Sequence, residues 1–251
     1  MNYFDVILSD VGNIIISYLY ADDLKYLLNI SNLLQINWSM VHSYHFGKYK
    51  KISVSEYLTR LDLENLSIKL KLNYTVDQLL DLQELDLSHN LLTQVPPEIG
   101  NLINLKVLDL LSNQLTQVPL EIGDLSNLQE LYFGNNQLKQ VPPEIGNLSN
   151  LRILSLSRNR LTQVPPEIGN LSNLQILYLG HNQLTQVPPE IGNLSNLRIL
   201  YLNNNKLIQV PHEIGRLTNL QILYLGNNQL IEIPENIRRL PNLIELNTDM
   251  N

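Results

Sequence analysis

Leu82-Gln83-Glu84-Leu85-Asp86-Leu87-Ser88-His89-Asn90 is the stretch on which the reading of this chain turns. Its skeleton restarts at Leu105, Leu128, Leu151, Leu174, Leu197, Leu220 and Leu243, a strict period of 23 residues. The unit runs Leu-x-x-Leu-x-Leu-x-x-Asn-x-Leu-x-x-Val-Pro-Pro-Glu-Ile-Gly-Asn-Leu-Ser-Asn. Alternation in its first half predicts a short strand. Stacked copies then form a parallel sheet with strands about 4.8 Å apart. In the second half, Pro-Pro-Glu predicts a helical or 3₁₀ turn. Pro96 and Pro97 suit a first turn, where no amide partner exists. Glu98, Glu121, Glu144, Glu167, Glu190 and Glu213 fall at its positive end. Gly100 and its equivalents through Gly215 are expected to terminate it.

Seven apolar side chains per unit point inward; in the fourth copy they are Leu151, Leu154, Leu156, Leu161, Val164, Ile168 and Leu171. One unit cannot bury these residues alone, so the array folds only as a stack. The column Asn90, Asn113, Asn136, Asn159, Asn182, Asn205, Asn228 and Asn251 is predicted to be structural. An amide side chain carries donors and acceptors enough to satisfy turn backbone that has no sheet partner.

These columns resemble the leucine-rich repeat family, and the Leu-x-x-Val-Pro-x-x-Ile form is most similar to its intracellular 23-residue members. The resemblance implies an α/β fold: a curved leucine-rich repeat solenoid with a parallel sheet on the concave face. The predicted organisation is a helical domain over 1–57, a degenerate first repeat or cap over 58–81, and repeats over 82–251, seven full and one truncated. Leu58-Thr59-Arg60-Leu61-Asp62-Leu63 imitates the opening of a repeat and is expected to form a degenerate first strand. Thr75-Val76-Asp77-Gln78 fits a capping box that opens a short helix.

The N-terminal residues carry no repeat. Val11, Ile15 and Leu19 share one face of a predicted helix; Asp22 or Asp23 caps a second, with Leu24, Leu27 and Leu28 on its apolar side. A third segment, Ile36–Phe46, holds the only tryptophan, Trp38, and is expected to stop at Gly47. Gly47-Lys48-Tyr49-Lys50-Lys51 then reads as a basic linker. Taken by themselves, these helices are a cap for the apolar end of a solenoid. The stretch Leu8-Ser9-Asp10-Val11, Ile14 to Leu19, Asp23-Leu24, Leu27 and Ile30-Ser31 also resembles an F-box, although Ser9 stands where that family has proline. That resemblance implies docking on a Skp-type adaptor of a cullin ubiquitin ligase through Leu8, Val11, Ile15, Leu19, Leu24 and Leu27.

Net charge is −7, which argues against nucleic acid as a partner. Cysteine is absent, so the ends are sealed without disulfides, and a reducing compartment, cytoplasm or nucleus, is expected. Asp5 and Asp10 interrupt any basic leader, and no run approaches a membrane span. Glycosylation is therefore not expected at the Asn-Leu-Ser triplets of Asn147, Asn170 and Asn193.

The strand half varies from copy to copy where it faces the concave surface. Position 5 reads Asp86, Asp109, Tyr132, Ser155, Tyr178, Tyr201 and Tyr224; position 8 includes Arg158 and His181; position 10 includes Arg160. The expectation is that a protein or peptide lies along Tyr178, Tyr201 and Tyr224, with a side chain in a notch at Ser155 beside Arg158 and Arg160. Asp86 and Asp109 form an acidic end. Aromatic residues with a neighbouring arginine favour protein contacts; duplication alone would also copy the tyrosines. No catalytic, cofactor or metal motif is present: His42 and His45 lack a third ligand, and His89 and His181 lie four repeats apart. The unit beginning at Leu243 leaves a candidate sheet edge, a place for weak homodimer pairing.

Overall fold

The structure is a computed structural model; it describes residues 44–46, 49–52, 54–249 and 251, with side chains from residue 59 onward. The chain divides into two units, Met1–Val76 and Asp77–Asn251. The F-box-like positions Leu8, Val11, Ile15, Leu19, Leu24 and Leu27, like Trp38 and His42, lie outside the described residues.

In the first unit, β1 (Tyr44–Phe46) and β2 (Tyr49–Ile52) pair antiparallel, and α1 spans Val54–Leu70. Two expectations are corrected here. The end of the third segment, expected to stop at Gly47, and the basic linker after it contribute to a hairpin instead, in keeping with the strand preference of Tyr44, Phe46, Tyr49 and Ile52. The strand predicted at Leu58–Leu63 is the middle of α1. Alternation there extends over only a few residues, whereas Leu63, Leu66 and Leu70 recur at helical spacing, and all three are buried. No Gly or Pro interrupts the run. The helix ends at Lys71, whose φ of 54° is left-handed, while the Leu72 amide donates back to the Ser67 carbonyl at 2.8 Å.

In the second unit, α2 (Val76–Leu80) forms where the capping box predicts a helix. Eight strands follow: β3 (Glu84–Asp86), β4 (Val107–Asp109), β5 (Glu130–Tyr132), β6 (Ile153–Ser155), β7 (Ile176–Tyr178), β8 (Ile199–Tyr201), β9 (Ile222–Tyr224) and β10 (Glu245–Asn247). They build one parallel sheet in chain order, each residue paired with its equivalent one period away. The crossing halves hold 3₁₀ turns, as at Pro97–Asn101 and Pro166–Asn170; the last is a single α-helical turn, α3 (Glu235–Arg238). The inward columns are closed to solvent: Leu151, Leu154, Leu156, Leu161, Ile168 and Leu171 are 0% exposed.

The asparagine column works as expected. Asn159 Nδ2 donates to the carbonyls of Phe133 (2.9 Å), Leu156 (3.0 Å) and Ser157 (3.3 Å), and its Oδ1 accepts from the Leu138 amide at 3.0 Å. A second amide ladder runs along the crossing half. Asn104, Asn127, Asn150, Asn173, Asn196, Asn219 and Asn242 each donate, at 2.8 Å, to a carbonyl 24 residues earlier. The last asparagine of the unit is thus as structural as the ninth residue, although its exposure hides this.

The glycine column needs a different explanation from the predicted one. Gly146 and Gly169 lie inside their turns, not after them. A Cβ on Gly169 would stand 2.5 Å from the Glu190 carbonyl oxygen of the next copy. Close stacking of successive turns, and not a left-handed stop, excludes a side chain there.

Candidate functional site: the open face of the sheet

Within the three-residue strands β3–β9 the middle leucine is buried, and its two neighbours reach the opposite face. That face is therefore written by positions 3 and 5 of the repeat. Position 3, which the sequence reading passed over, carries Glu84, Val107, Glu130, Ile153, Ile176, Ile199, Ile222 and Glu245. The isoleucines are half-buried, and Ile176, Ile199 and Ile222 lie in register beside Tyr178, Tyr201 and Tyr224. The signal was available: a β-branched residue repeated at an outward strand position is a surface apolar column, but identical copies look like core.

The tyrosines form the expected strip. Tyr178 meets Tyr201 edge-on, with centroids 5.1 Å apart and planes at 77°; Tyr201 stacks on Tyr224 at 4.4 Å and 10°. Both arrangements suit ring quadrupoles. Burial, then the neighbouring Tyr201, pushes the Tyr178 hydroxyl pKa up. Two tyrosines are tied at the margins. Tyr224 Oη donates to Glu245 Oε1 at 2.5 Å, a bond that, with burial and the Glu245 charge, pushes its pKa up to about 12. Tyr132 Oη donates to Glu130 Oε2 at 2.7 Å; burial first and then this bond raise its pKa well above the ordinary value.

Ser155 does not form the open notch expected of it. It pairs with Tyr132 on one side and Tyr178 on the other, and is only 8% exposed. A side chain this buried offers no open notch.

Position 8 is also less free than its variation implies. His89, Ser112, Asn135, Arg158, His181, Asn204 and Asn227 all adopt φ between 54° and 56°. Asn and His tolerate this left-handed region better than most residues, which accounts for much of the column. Arg158 has no such excuse, and it is exposed at the β6 margin. Burial first, and then the Arg158 charge, lower the His181 pKa. Arg160 is exposed near them; His89 and His181 are not brought together.

At the other end, Asp86 and Asp109 are register partners, and Asp109 adjoins Tyr132. Each accepts a backbone amide two residues on, from Ser88 and Leu111, both at 2.8 Å. The Ser88 hydroxyl and amide hold the Asp86 carboxyl below its usual range. Among the described residues, no group of three or more His, Asp or Glu could hold a metal ion, and no helix is long and apolar enough to cross a membrane.

Profiles for a leucine-rich repeat match residues 80–138 and 103–161, one for a leucine-rich repeat region matches 143–207, and another leucine-rich repeat profile matches 219–240. The chain belongs to the leucine-rich repeat proteins. No curated protein matches it. Among solved structures, this leucine-rich repeat protein is similar to an LRR protein of Leptospira interrogans (42% identity, TM-score 0.65, 67% of this chain and 43% of that one). It is also similar to the LRR ectodomain of the plant membrane receptor kinase GASSHO1/SCHENGEN3 from Arabidopsis thaliana, solved with Casparian strip integrity factor 2 (36%, TM-score 0.62, 66% and 21%). A third is the plant peptide hormone receptor RGFR1 in complex with RGF2 (36%, TM-score 0.54, 66% and 32%). The chain thus spans less than half the length of each of these proteins.

Proposed function

We propose that this leucine-rich repeat protein binds an extended peptide or a protein segment on the open sheet face, over β6–β9. The observation that carries the reading is the continuous half-exposed surface of Ile176, Ile199 and Ile222 beside Tyr178, Tyr201 and Tyr224. Rigid aromatic rings cost little entropy on binding and dominate protein contacts. The plant receptors to which the chain is similar hold ligands in their structures, which supports a ligand here. A photo-cross-linking residue in place of Ile199 is expected to capture a partner that one in place of Gln163, on the crossing half, does not. Equal capture from both positions would remove the sheet face as the contact surface.

The finer reading is a substrate adaptor. The F-box-like residues Leu8, Val11, Ile15, Leu19, Leu24 and Leu27 would dock a Skp-type adaptor, while the sheet face presents a substrate for ubiquitin transfer by other subunits in the cytoplasm or nucleus. Its support is the sequence resemblance, together with the order of an F-box-like segment before repeats. A pull-down with a purified Skp-type adaptor tests it: the full chain is expected to bind, and a Leu8→Asp, Leu19→Asp variant to lose binding. A folded chain that captures no adaptor would leave a scaffold whose N-terminal residues only cap the solenoid.

A further inference from the structure

The sheet face is divided by charge as well as by shape. On β3–β5, positions 3 and 5 carry Glu84, Asp86, Asp109 and Glu130, and none of these faces a cation from the same two columns. Asp86 and Asp109 pair directly across neighbouring strands, an arrangement of like charges that is unfavourable by itself. Lys106, just before β4, directs its Nζ to Gln83 Oε1 at 2.9 Å, and His89 lies within electrostatic reach of Asp86. Among the described residues, none of the four carboxylates is in an ion pair, unlike Glu213 with His212 and Glu235 with Arg239. On β7–β9 the same two columns are entirely isoleucine and tyrosine. The centres of the two fields, β4 and β8, lie four strands apart in the sheet order. At about 4.8 Å per strand that is about 19 Å, and an extended peptide crossing the strands covers it in about six residues at roughly 3.3 Å each.

We propose that the sheet face selects a peptide carrying a Lys- or Arg-rich cluster about six residues from a cluster of large apolar side chains. The cations lie over Glu84, Asp86, Asp109 and Glu130, and the apolar cluster lies on the isoleucines and tyrosines of β7–β9. This rests on the sheet-face reading above and adds the chemistry and spacing of the occupant. Binding supplies cations to carboxylates that are in no ion pair within the chain and removes apolar surface from water at the other end. Arg158 and Arg160 stand at the β6 margin, between the fields, so the spacer is neutral or acidic.

The test is to pan a random dodecapeptide library, long enough at about 40 Å to cross the whole sheet, on the full chain, and to measure the selected peptides by fluorescence anisotropy. Two paired variants are measured alongside: Asp86→Asn with Asp109→Asn, and Tyr178→Ala with Tyr201→Ala. Asparagine keeps an Oδ1 acceptor for the Ser88 and Leu111 amides, so the first pair removes charge and leaves the turns intact. Selected peptides are expected to show the basic and apolar clusters at this spacing. They should weaken about tenfold or more on the asparagine pair and lose affinity as salt is raised. Peptides that lack the basic cluster, or bind the asparagine pair unchanged, while losing affinity on the alanine pair, would overturn this inference and leave the sheet-face reading standing. Peptides insensitive to both pairs would overturn both.

Discussion

Two columns run through the same repeats and behave in opposite ways. At position 9, Asn113, Asn136, Asn159 and Asn205 are buried, and at Asn159 the two N–H groups are shared among three carbonyls while Oδ1 accepts a backbone amide. The residues at position 5 stand at the ends of the strands on the outward face, and their chemistry changes from Asp86 and Asp109 to Tyr178, Tyr201 and Tyr224. Identical backbone geometry therefore carries one column whose side chains serve the chain itself and another whose apolar rings face outward. In a repeat protein, regularity alone does not separate structure from function. What separates them is whether each polar group and each apolar surface already has its partner inside the molecule.

Substitutions in the saturated columns should damage stability most. Asn159→Ala is expected to lower unfolding free energy by about 3 kcal/mol, because it strands buried carbonyls and the Leu138 amide; a urea midpoint unchanged from that of the parent chain would break the contrast. Gly169→Ala should cost about 2 kcal/mol in the same assay, since its methyl group meets the Glu190 carbonyl and the next turn must move away. A normal midpoint there would mean that the stacked turns yield more easily than their separation implies. Arg158→Asn should act in the other direction, raising stability by about 1 kcal/mol by relieving a left-handed arginine, and a loss of stability would show that Arg158 makes contacts that outweigh its backbone cost.

The smallest effect expected is at the strip's margin. Glu245→Gln should bring the Tyr224 hydroxyl down from about 12 toward its ordinary 10, read as tyrosinate absorbance during an alkaline titration. The sign follows from the direction of the shift. A hydroxyl whose pKa is raised by folding favours the native state below pH 10 and loses that contribution as pH climbs through about 12. An unchanged titration in the variant would disconnect Tyr224 from Glu245.

The repeat was readable from sequence because its columns are dictated by packing. Leu154 must be buried, Asn159 must satisfy the turn, and a proline such as Pro165 must open the crossing turn, so the copies repeat these residues. The failures have physical causes too. Leu58–Leu63 imitates the repeat over six letters, but helical burial of Leu63, Leu66 and Leu70 outweighs that local alternation. Ser155 is small, but size alone does not open a notch at a residue that is only 8% exposed. The variation at position 8 resembled a binding surface, yet a shared φ near 55° constrains it. Conversely, Ile176, Ile199 and Ile222 went unnoticed as site residues because three identical aliphatic side chains read as core until the strand register puts them outside.

The measurement that bears most directly on this account is the affinity of a chain carrying both Tyr178→Ala and Tyr201→Ala for a dodecapeptide selected on the parent chain. Removal of two central rings is expected to weaken binding about 30-fold or more, while the urea midpoint moves far less than it does for Asn159→Ala. Unchanged affinity would mean that the tyrosine column, like the asparagine column, serves only the solenoid.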